Sequence, residues 1–195
     1  MAIANLLCMI TVQEIGGFDQ DTNAGFVRRI RLLRKRDVIS VMDPIRFPGY
    51  GPMYEIPFSG LIVKEGAQGF TFSLPPKTIR FSESEFENEQ GLAFDTSFSF
   101  EVPKPTTSLL HWLLTHQHQD WVVLWEDYND VAWISGNEEF GLRLQRSRTA
   151  SGQNILLVAI QGSFSFPSFK ITGFELQELF PQGQFSYHFG LHFNT

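Results

Sequence analysis

Five histidines stand in two groups whose spacing is compatible with metal binding. His111, His116 and His118 lie close together, and His188 and His192 are four positions apart. Histidine pairs at such spacing can bind zinc, but no cysteine or suitably placed carboxylate near either group completes a tetrahedral ligand set. A histidine near a helix end also has an ordinary structural role beside the helix dipole. We therefore predict structural histidines, with no metal and no cofactor.

Other residues with catalytic potential also have simpler explanations. Glu126, Asp127 and Asp130 could supply the carboxylate pair of a glycoside hydrolase. However, Asp127-Tyr-Asn-Asp130 separates two apolar runs, and Asp and Asn favour turns there. Cys8 lies in an apolar run and is predicted to be a buried, inert thiol. The sequence has no Gly-x-Ser-x-Gly elbow, phosphate-binding loop or dinucleotide fingerprint. These observations predict a protein that is not an enzyme.

The four tryptophans admit two interpretations. Trp112, Trp121, Trp125 and Trp133 could form a surface that binds sugars, which would make the chain a carbohydrate-binding β-sandwich module. They lie in or beside one predicted helix and hairpin, where core packing is the commoner reason for large aromatic residues. Core packing is the favoured interpretation, and the carbohydrate-binding module is the alternative function.

Charged residues form two further groups. We call the first the basic segment and the second the acidic row. In an extended strand, the alternate glutamates of the acidic row would all project from one face. The row could protect a sheet edge, meet the basic segment of a neighbouring subunit, or line an acidic channel that repels DNA phosphates. The basic segment comprises Arg28, Arg29, Arg31, Arg34, Lys35 and Arg36, and the acidic row comprises Glu83, Glu85, Glu87 and Glu89.

Strands must position most of these side chains, because the dominant hydrophobic period is two. Phe94, Phe98 and Phe100 alternate with polar residues, and the same alternation recurs along much of the chain. One helix is predicted over 107–117, where Leu109, Leu110, Leu113 and Leu114 form an apolar stripe after a threonine cap. The predicted fold is mainly β, a β-sandwich or barrel with one short helix packed alongside. We expect a single β-rich domain over 1–195, with a C-terminal strand extension at 170–195.

Composition narrows the functional classes. The chain has 195 residues, 43% hydrophobic and 18% charged, with twenty phenylalanines and a formal net charge of −6. The acidic balance argues against general affinity for nucleic acid. The single cysteine excludes a disulfide within the chain. The N-terminus lacks the pattern of a signal peptide, and no apolar run is long enough to span a membrane, so we expect no membrane partner.

One succession of elements resembles a known family. It runs from the Phe-rich strand ending at Pro103, through the Leu-rich helix, to the hairpin Trp121–Ser135 and on to Phe166, covering roughly Gly91 to Phe166. This pattern resembles phage tail structural proteins, in particular tail tube-like β-sandwich proteins of phages that infect Bacteroidetes-type hosts. The hairpin turn of that pattern often has glycine where this chain has Asp130.

The resemblance implies a function. It implies a virion structural protein, a tube component or a neighbouring baseplate component, made in the host cytoplasm and assembled into rings around a DNA conduit. Its partners would be copies of itself and other tail proteins, with non-specific passage of DNA through the lumen. No catalytic residues follow from the resemblance.

Overall fold

The computed structural model describes residues 26–45, 54–72, 74–89, 91–149 and 155–173. Their elements are twelve strands and one helix, with short 3-10 turns at Lys35–Asp37 and Phe58–Gly60. The elements are β1 Val27–Arg34, β2 Val38–Val41, β3 Glu55–Pro57, β4 Leu61–Val63, β5 Gly69–Phe72, β6 Arg80–Asn88, β7 Gly91–Pro103, α1 Thr107–His116, β8 Asp120–Asp127, β9 Ala132–Ser135, β10 Leu142–Thr149, β11 Ile155–Phe164 and β12 Phe169–Thr172.

Ten of the strands form one sheet that branches at β8. On one side β8 pairs antiparallel with β1, and β1 pairs in turn with β5. On its other side β8 pairs with β9 through the residues from Val123 to Glu126, and with β10 only at Asp120 and Trp121. From β10 the sheet continues through β11 and β7 to β6, and from β9 it continues through β12 to β3. Strands β2 and β4 form a separate two-stranded ribbon.

The sheet curls so that two of its arms face each other. One arm consists of β8, β1 and β5, and the other consists of β10, β11, β7 and β6. An isolated bridge between Val27 and Ile79 brings the start of β6 back to β1. Aromatic contacts then join the arms, with ring centroids 5.3 Å apart for Phe72 and Phe100 and 5.8 Å apart for Phe98 and Trp125. The predicted fold class, a mainly β sandwich or barrel with one short helix, is confirmed.

Helix α1 connects β7 to β8 and packs against β5 and β8 through Trp112, whose ring contacts those of Phe70, Phe72 and Trp121. The Thr106 side chain caps it by accepting a hydrogen bond from the Leu109 backbone N–H at 3.3 Å. Its buried positions are Leu109, Trp112, Leu113 and His116, which follow the i, i+3, i+4, i+7 spacing of a single helix face. The helix lies where the sequence predicts it, but the predicted stripe is wrong at its end, because Leu114 is 49% exposed.

Two predictions fall partly beyond the described residues. The predicted C-terminal extension covers 170–195. The structure describes it as far as residue 173, which includes most of β12, and the rest of the extension lies outside the described residues. Cys8, His188 and His192 also lie outside them. Within the described part of the chain, no helix has the length and apolar character that crossing a membrane requires.

Candidate functional site

The acidic row lies on β6 and the turn that follows it. Glu83, Glu85 and Glu87 occupy alternate positions of the strand and therefore share a face, and Glu89 lies in the turn. The same face begins with Phe81, whose ring lies 4.3 Å from that of Trp125 in the core. The acidic row thus continues the inner face of the sheet beyond the end of the hydrophobic core.

Glu83 differs from the other members of the row because its carboxylate is bonded inside the fold. Its Oε2 atom accepts hydrogen bonds from the Ser168 backbone N–H at 2.9 Å, the Ser168 hydroxyl at 2.6 Å and the Thr96 hydroxyl at 3.1 Å. The Ser168 hydroxyl lies 2.7 Å from the Ser135 hydroxyl, which accepts a 3.1 Å bond from the Trp125 indole N–H. Because a carboxylate and an indole fix the two ends, Ser135 donates to Ser168 and Ser168 donates to Glu83. Glu83 therefore anchors a polar chain that reaches into the core.

The rest of the acidic row projects from a two-stranded ribbon. β11 ends at Phe164, which pairs with Phe94, so beyond Phe94 only β6 and β7 continue side by side. We call the end of the β6–β7 pair, residues 84–88 with 91–95, the acidic ribbon, of which Phe94 and Asp95 still pair with β11 on their other side. Glu85 and Glu87 are exposed on one of its faces, and Phe86 on the other face is 38% exposed. Among the described residues, β6 pairs with a strand on one side only.

The basic segment behaves differently, since its charges have partners within the subunit. The Glu126 carboxylate is fully buried on β8, where Arg28 Nη1 lies 3.2 Å from Oε1 and Arg29 Nε lies 3.1 Å from Oε2. Arg28 also donates to Asp130 Oδ1 at 2.6 Å. Burial raises the pKa of Glu126 above its usual value of 4.5, and the nearby Arg29 and Arg28 guanidinium groups act in the opposite direction. We call these four residues the Glu126 cluster.

The middle of the basic segment packs against β5 and α1. Burial, together with the neighbouring charge of Arg29, lowers the pKa of Arg31 to about 10, and Arg31 Nε donates to the Thr71 hydroxyl at 3.1 Å. Arg34 Nη2 lies 3.4 Å from His116 Nε2. The guanidinium carbon of Arg34 lies 5.3 Å from the centre of the Phe70 ring, within the range of a cation–π contact.

Lys35 and Arg36 complete the basic segment. Lys35 Nζ lies 3.3 Å from Asp120 Oδ2 and donates to the Glu139 carbonyl oxygen at 3.1 Å. Arg36 has the weakest contact, since its Nε lies 3.9 Å from Asp37 Oδ1 and its side chain is 70% exposed. The six basic side chains therefore all have contacts within the subunit. Their predicted role in meeting the acidic row of a neighbour stays a prediction.

The three candidate carboxylates of the hairpin have structural roles. Glu126 is held in the Glu126 cluster. Asp127 Oδ1 accepts hydrogen bonds from the backbone N–H groups of Asn129 at 2.8 Å and Val131 at 3.0 Å, which closes the turn. Asp130 has a φ of 59°, a left-handed conformation that Asp tolerates better than most residues. The predicted turn is confirmed, and Asp130 adopts the conformation that glycine would favour.

The tryptophans lie mainly in the core, as predicted. Trp121, Trp125 and Trp112 are at most 7% exposed. Trp133 is partly buried and stacks on Trp125, with the ring centroids 5.5 Å apart. The three buried rings are not accessible for stacking on a sugar, and of the four tryptophans Trp133 is the most exposed.

His116 is the most enclosed histidine of the described residues. Its Nδ1 lies 2.8 Å from the Trp112 carbonyl oxygen, and because a carbonyl only accepts, Nδ1 carries the proton. The other ring nitrogen, Nε2, faces the Arg34 guanidinium, which can only donate, so Nε2 is the acceptor of this contact. His118 is exposed and contacts Gln117. Within the described ranges, no three His, Cys, Asp or Glu side chains come together as a metal site requires.

Sequence reasoning missed a groove beside α1. It has a volume of about 610 Å³ and is lined by Arg34, Phe70, His111 and His116 together with polar residues of α1. Its walls come from β1, β5 and α1, which are far apart in the sequence, so no local motif indicates it. The combination of a guanidinium, two imidazoles and aromatic rings suits an anionic or aromatic group.

Sequence reasoning also missed a second row of basic side chains, on β10. Arg146 and Arg148 are exposed and share the face of the buried Leu144, while Arg143 on the other face lies 3.1 Å from Asp120 Oδ1. The Arg-Ser-Arg alternation is visible in the sequence, but only the pairing of β10 shows where it lies in the sheet. Comparison with known proteins adds no assignment, because no family model, curated protein or solved structure matches this chain.

Proposed function

We propose that this chain is a structural subunit of a phage tail that assembles with copies of itself into rings around a DNA conduit. The proposal rests on the resemblance of residues 91–166 to tail structural proteins and on one structural observation. That observation is the open edge of β6, a nine-residue strand that pairs only with β7 among the described residues.

A long open edge favours association with another chain. The unpaired backbone N–H and C=O groups of an edge strand form a template for a further strand. Monomeric proteins commonly shorten, cover or charge such edges, and β6 combines its charges with the exposed Phe86. Aromatic side chains are enriched at protein interfaces. In a ring, the neighbouring subunit would satisfy this edge without any change in the fold.

The acidic surface is compatible with a conduit. The formal net charge is −6, so an assembly of this chain is acidic on average. A lumen lined with carboxylates would repel phosphates and so keep DNA from adhering to the wall. The carbohydrate-binding alternative has no comparable support, because three of its four tryptophans are buried.

Electron microscopy of the purified protein at high concentration, with the solution mass measured by light scattering, tests this proposal. Rings or tubes of uniform diameter are the expected result. A mass equal to one subunit at every concentration, without particles, would contradict self-assembly. A parallel titration with polysaccharides, followed by intrinsic fluorescence, should give no saturable response, and a saturable response would favour the carbohydrate-binding module.

A further inference from the structure

Two strands of the same sheet arm leave an edge open among the described residues. β6 is the last strand of the arm and pairs only with β7. At the other end of the arm, β10 pairs with β11 as far as Thr149 but with β8 only at Leu142 and Arg143. The edge of β10 from Leu144 to Thr149 is therefore open as well. One arm thus offers two edges that face in opposite directions.

The two edges carry opposite charges on the same face of the sheet. On β6, Glu85 and Glu87 lie on the face that begins with the core residue Phe81. On β10, Arg146 and Arg148 lie on the face of the buried Leu144. Both charged pairs therefore continue the inner face of the arm past the core, one at each edge.

The two open edges, with their opposite charges, fit a contact between copies of this chain. Building on the proposed function, we propose that the β6 edge of one subunit pairs with the β10 edge of the next, with Glu85 opposite Arg148 and Glu87 opposite Arg146. The arm has the antiparallel order β10, β11, β7 and β6. With four alternating strands, β6 of one copy is antiparallel to β10 of a copy in the same orientation. The repeat then extends one continuous antiparallel sheet with all inner faces on the same side.

Charge also disfavours the symmetric alternatives. Pairing β6 with β6 of a second copy would oppose glutamates, and pairing β10 with β10 would oppose arginines, and like charges directly opposite each other destabilise a sheet. The favoured contact joins two different edges, which generates rings or helical tubes in place of a two-fold dimer.

The proposed register also follows from the residues. Ser82, Ser97, Gln161 and Arg143 lie on one line across the arm. In a level register, Ser82 of one copy would lie opposite Arg143 of the next. Glu85 would then face Phe140 and not Arg148. The charge pairing therefore displaces each copy by eight residues along the strands, which is about 26 Å at roughly 3.3 Å per residue.

The outer face supports the same register. Phe86 then lies opposite Ser147, a small residue whose neighbour on β11 is Leu157. Both apolar side chains are exposed in the single subunit, Phe86 by 38% and Leu157 by 42%. The displaced register lets the Phe86 ring extend over Ser147 towards Leu157, so each subunit covers an exposed apolar side chain of its neighbour.

Charge reversal in mixed pairs of variants tests the contact. The first variant is E85R/E87R and the second is R146E/R148E, and neither should assemble alone because like charges then meet at the contact. An equimolar mixture should assemble again, since each variant presents an edge complementary to the other. Glu65→Arg, an exposed charge reversal in the turn before β5, is the control and should assemble normally. Melting temperatures close to that of the unmodified protein would show that the variants fold.

Cysteine pairs test the register in a Cys8→Ser background. Ser84→Cys with Thr149→Cys lies on opposed positions of the displaced register, whereas Ser82→Cys with Arg143→Cys lies on opposed positions of a level register. Oxidation should link subunits into a ladder on non-reducing gels only for the first pair, because a disulfide requires Cβ atoms about 4 Å apart.

The outcomes separate this inference from the proposed function. Particles that form in both charge variants, or a ladder from the level pair only, would overturn the β6–β10 contact or its register while self-assembly stands. A protein that never associates would overturn both proposals.

Discussion

The Glu126 cluster and the acidic ribbon show two ways in which this fold uses carboxylates. In the Glu126 cluster, a fully buried carboxylate lies between two guanidinium groups, with Arg28 shared between Glu126 and Asp130. On the acidic ribbon, Glu85 and Glu87 are exposed, and no ion pair joins either of them to the described residues. The first group is neutralised within the subunit, and the second leaves its charge facing outwards.

The difference has an energetic meaning. Burying a carboxylate is costly unless it is paired, so each member of the Glu126 cluster depends on the others. Exposed charges on a strand add little to the stability of the subunit. Substitutions in the Glu126 cluster should therefore change folding, whereas substitutions on the acidic ribbon should change association.

Arg29→Met should give the largest loss of stability. It removes one of the two cations beside the buried Glu126 carboxylate, and breaking a buried pair in this way costs about 3 kcal/mol. Urea unfolding at neutral pH measures the change. Arg146→Met is the matched control on an exposed strand position, and it should change the free energy of unfolding by less than about 0.5 kcal/mol. Equal losses in both variants would show that the two regions do not differ.

Glu83→Ala should have the next largest effect, because Glu83 belongs to the acidic row by position but to the core by its bonds. The substitution leaves the Ser168 N–H and hydroxyl without their acceptor, and Ser168 is 6% exposed. Such a loss costs about 2 kcal/mol. Glu85→Ala, two residues along the same face, is the control and should change stability by less than about 0.5 kcal/mol. A Glu83→Ala variant as stable as Glu85→Ala would contradict the anchoring role.

The acidic row shows where sequence reasoning succeeds and where it stops. Period-two alternation correctly places Glu83, Glu85 and Glu87 on one face, because strand geometry depends only on local sequence. The pattern cannot show that Glu83 meets Ser168, which is 85 positions away in the chain. That contact depends on the curling of the sheet, which is a property of the whole fold.

The basic segment gives the same lesson for a candidate site. Its clustering is visible in the sequence, but its main partner, Glu126, is 98 positions from Arg28. Sequence reasoning grouped Glu126 with the carboxylates of the hairpin turn, and it left a contact of the basic segment with another subunit as one of three interpretations. The exposed basic row on β10 was overlooked because open edges are visible only once the strand order is known. Helix α1 was easier to predict, since its cap and apolar spacing are both local signals.

The pH dependence of stability sharpens the comparison further. The pKa of Glu126 is raised in the folded protein, chiefly by burial. The folded state therefore holds this proton more tightly than the unfolded chain, and the contribution of Glu126 to stability falls as pH rises from about 4.5 through its raised pKa. Glu126→Gln should remove this fall. As the pH rises from mild acid to neutral, the difference in free energy of unfolding between the two proteins should therefore shift in favour of the variant.

Unfolding by urea at several pH values measures this effect. Glu85→Gln is the control, and its stability relative to the unmodified protein should stay nearly constant over the same range. Arg29→Met should enlarge the fall, because Arg29 is the first of the two cations that lower the pKa of Glu126. A Glu126→Gln variant that follows the pH profile of the unmodified protein would contradict this assignment.

The smallest change in stability is expected for Glu85→Gln combined with Glu87→Gln. Both side chains are exposed, so the free energy of unfolding should change by less than about 0.5 kcal/mol. The same variant distinguishes the proposed contact with β10 from two interpretations of the acidic row, edge protection and channel lining. If the row only protects an edge, neutral side chains should increase irregular aggregation. If it only lines a channel, regular particles should form as before.

If the row instead contacts Arg146 and Arg148 of the next subunit, regular assembly should weaken and lose most of its dependence on salt. Exposed ion pairs are screened as ionic strength rises, so salt should weaken assembly of the unmodified protein more than that of the neutral variant. Light scattering over a series of salt concentrations measures both responses. An identical salt response in the two proteins would show that these glutamates do not contribute to the contact, even if rings or tubes form.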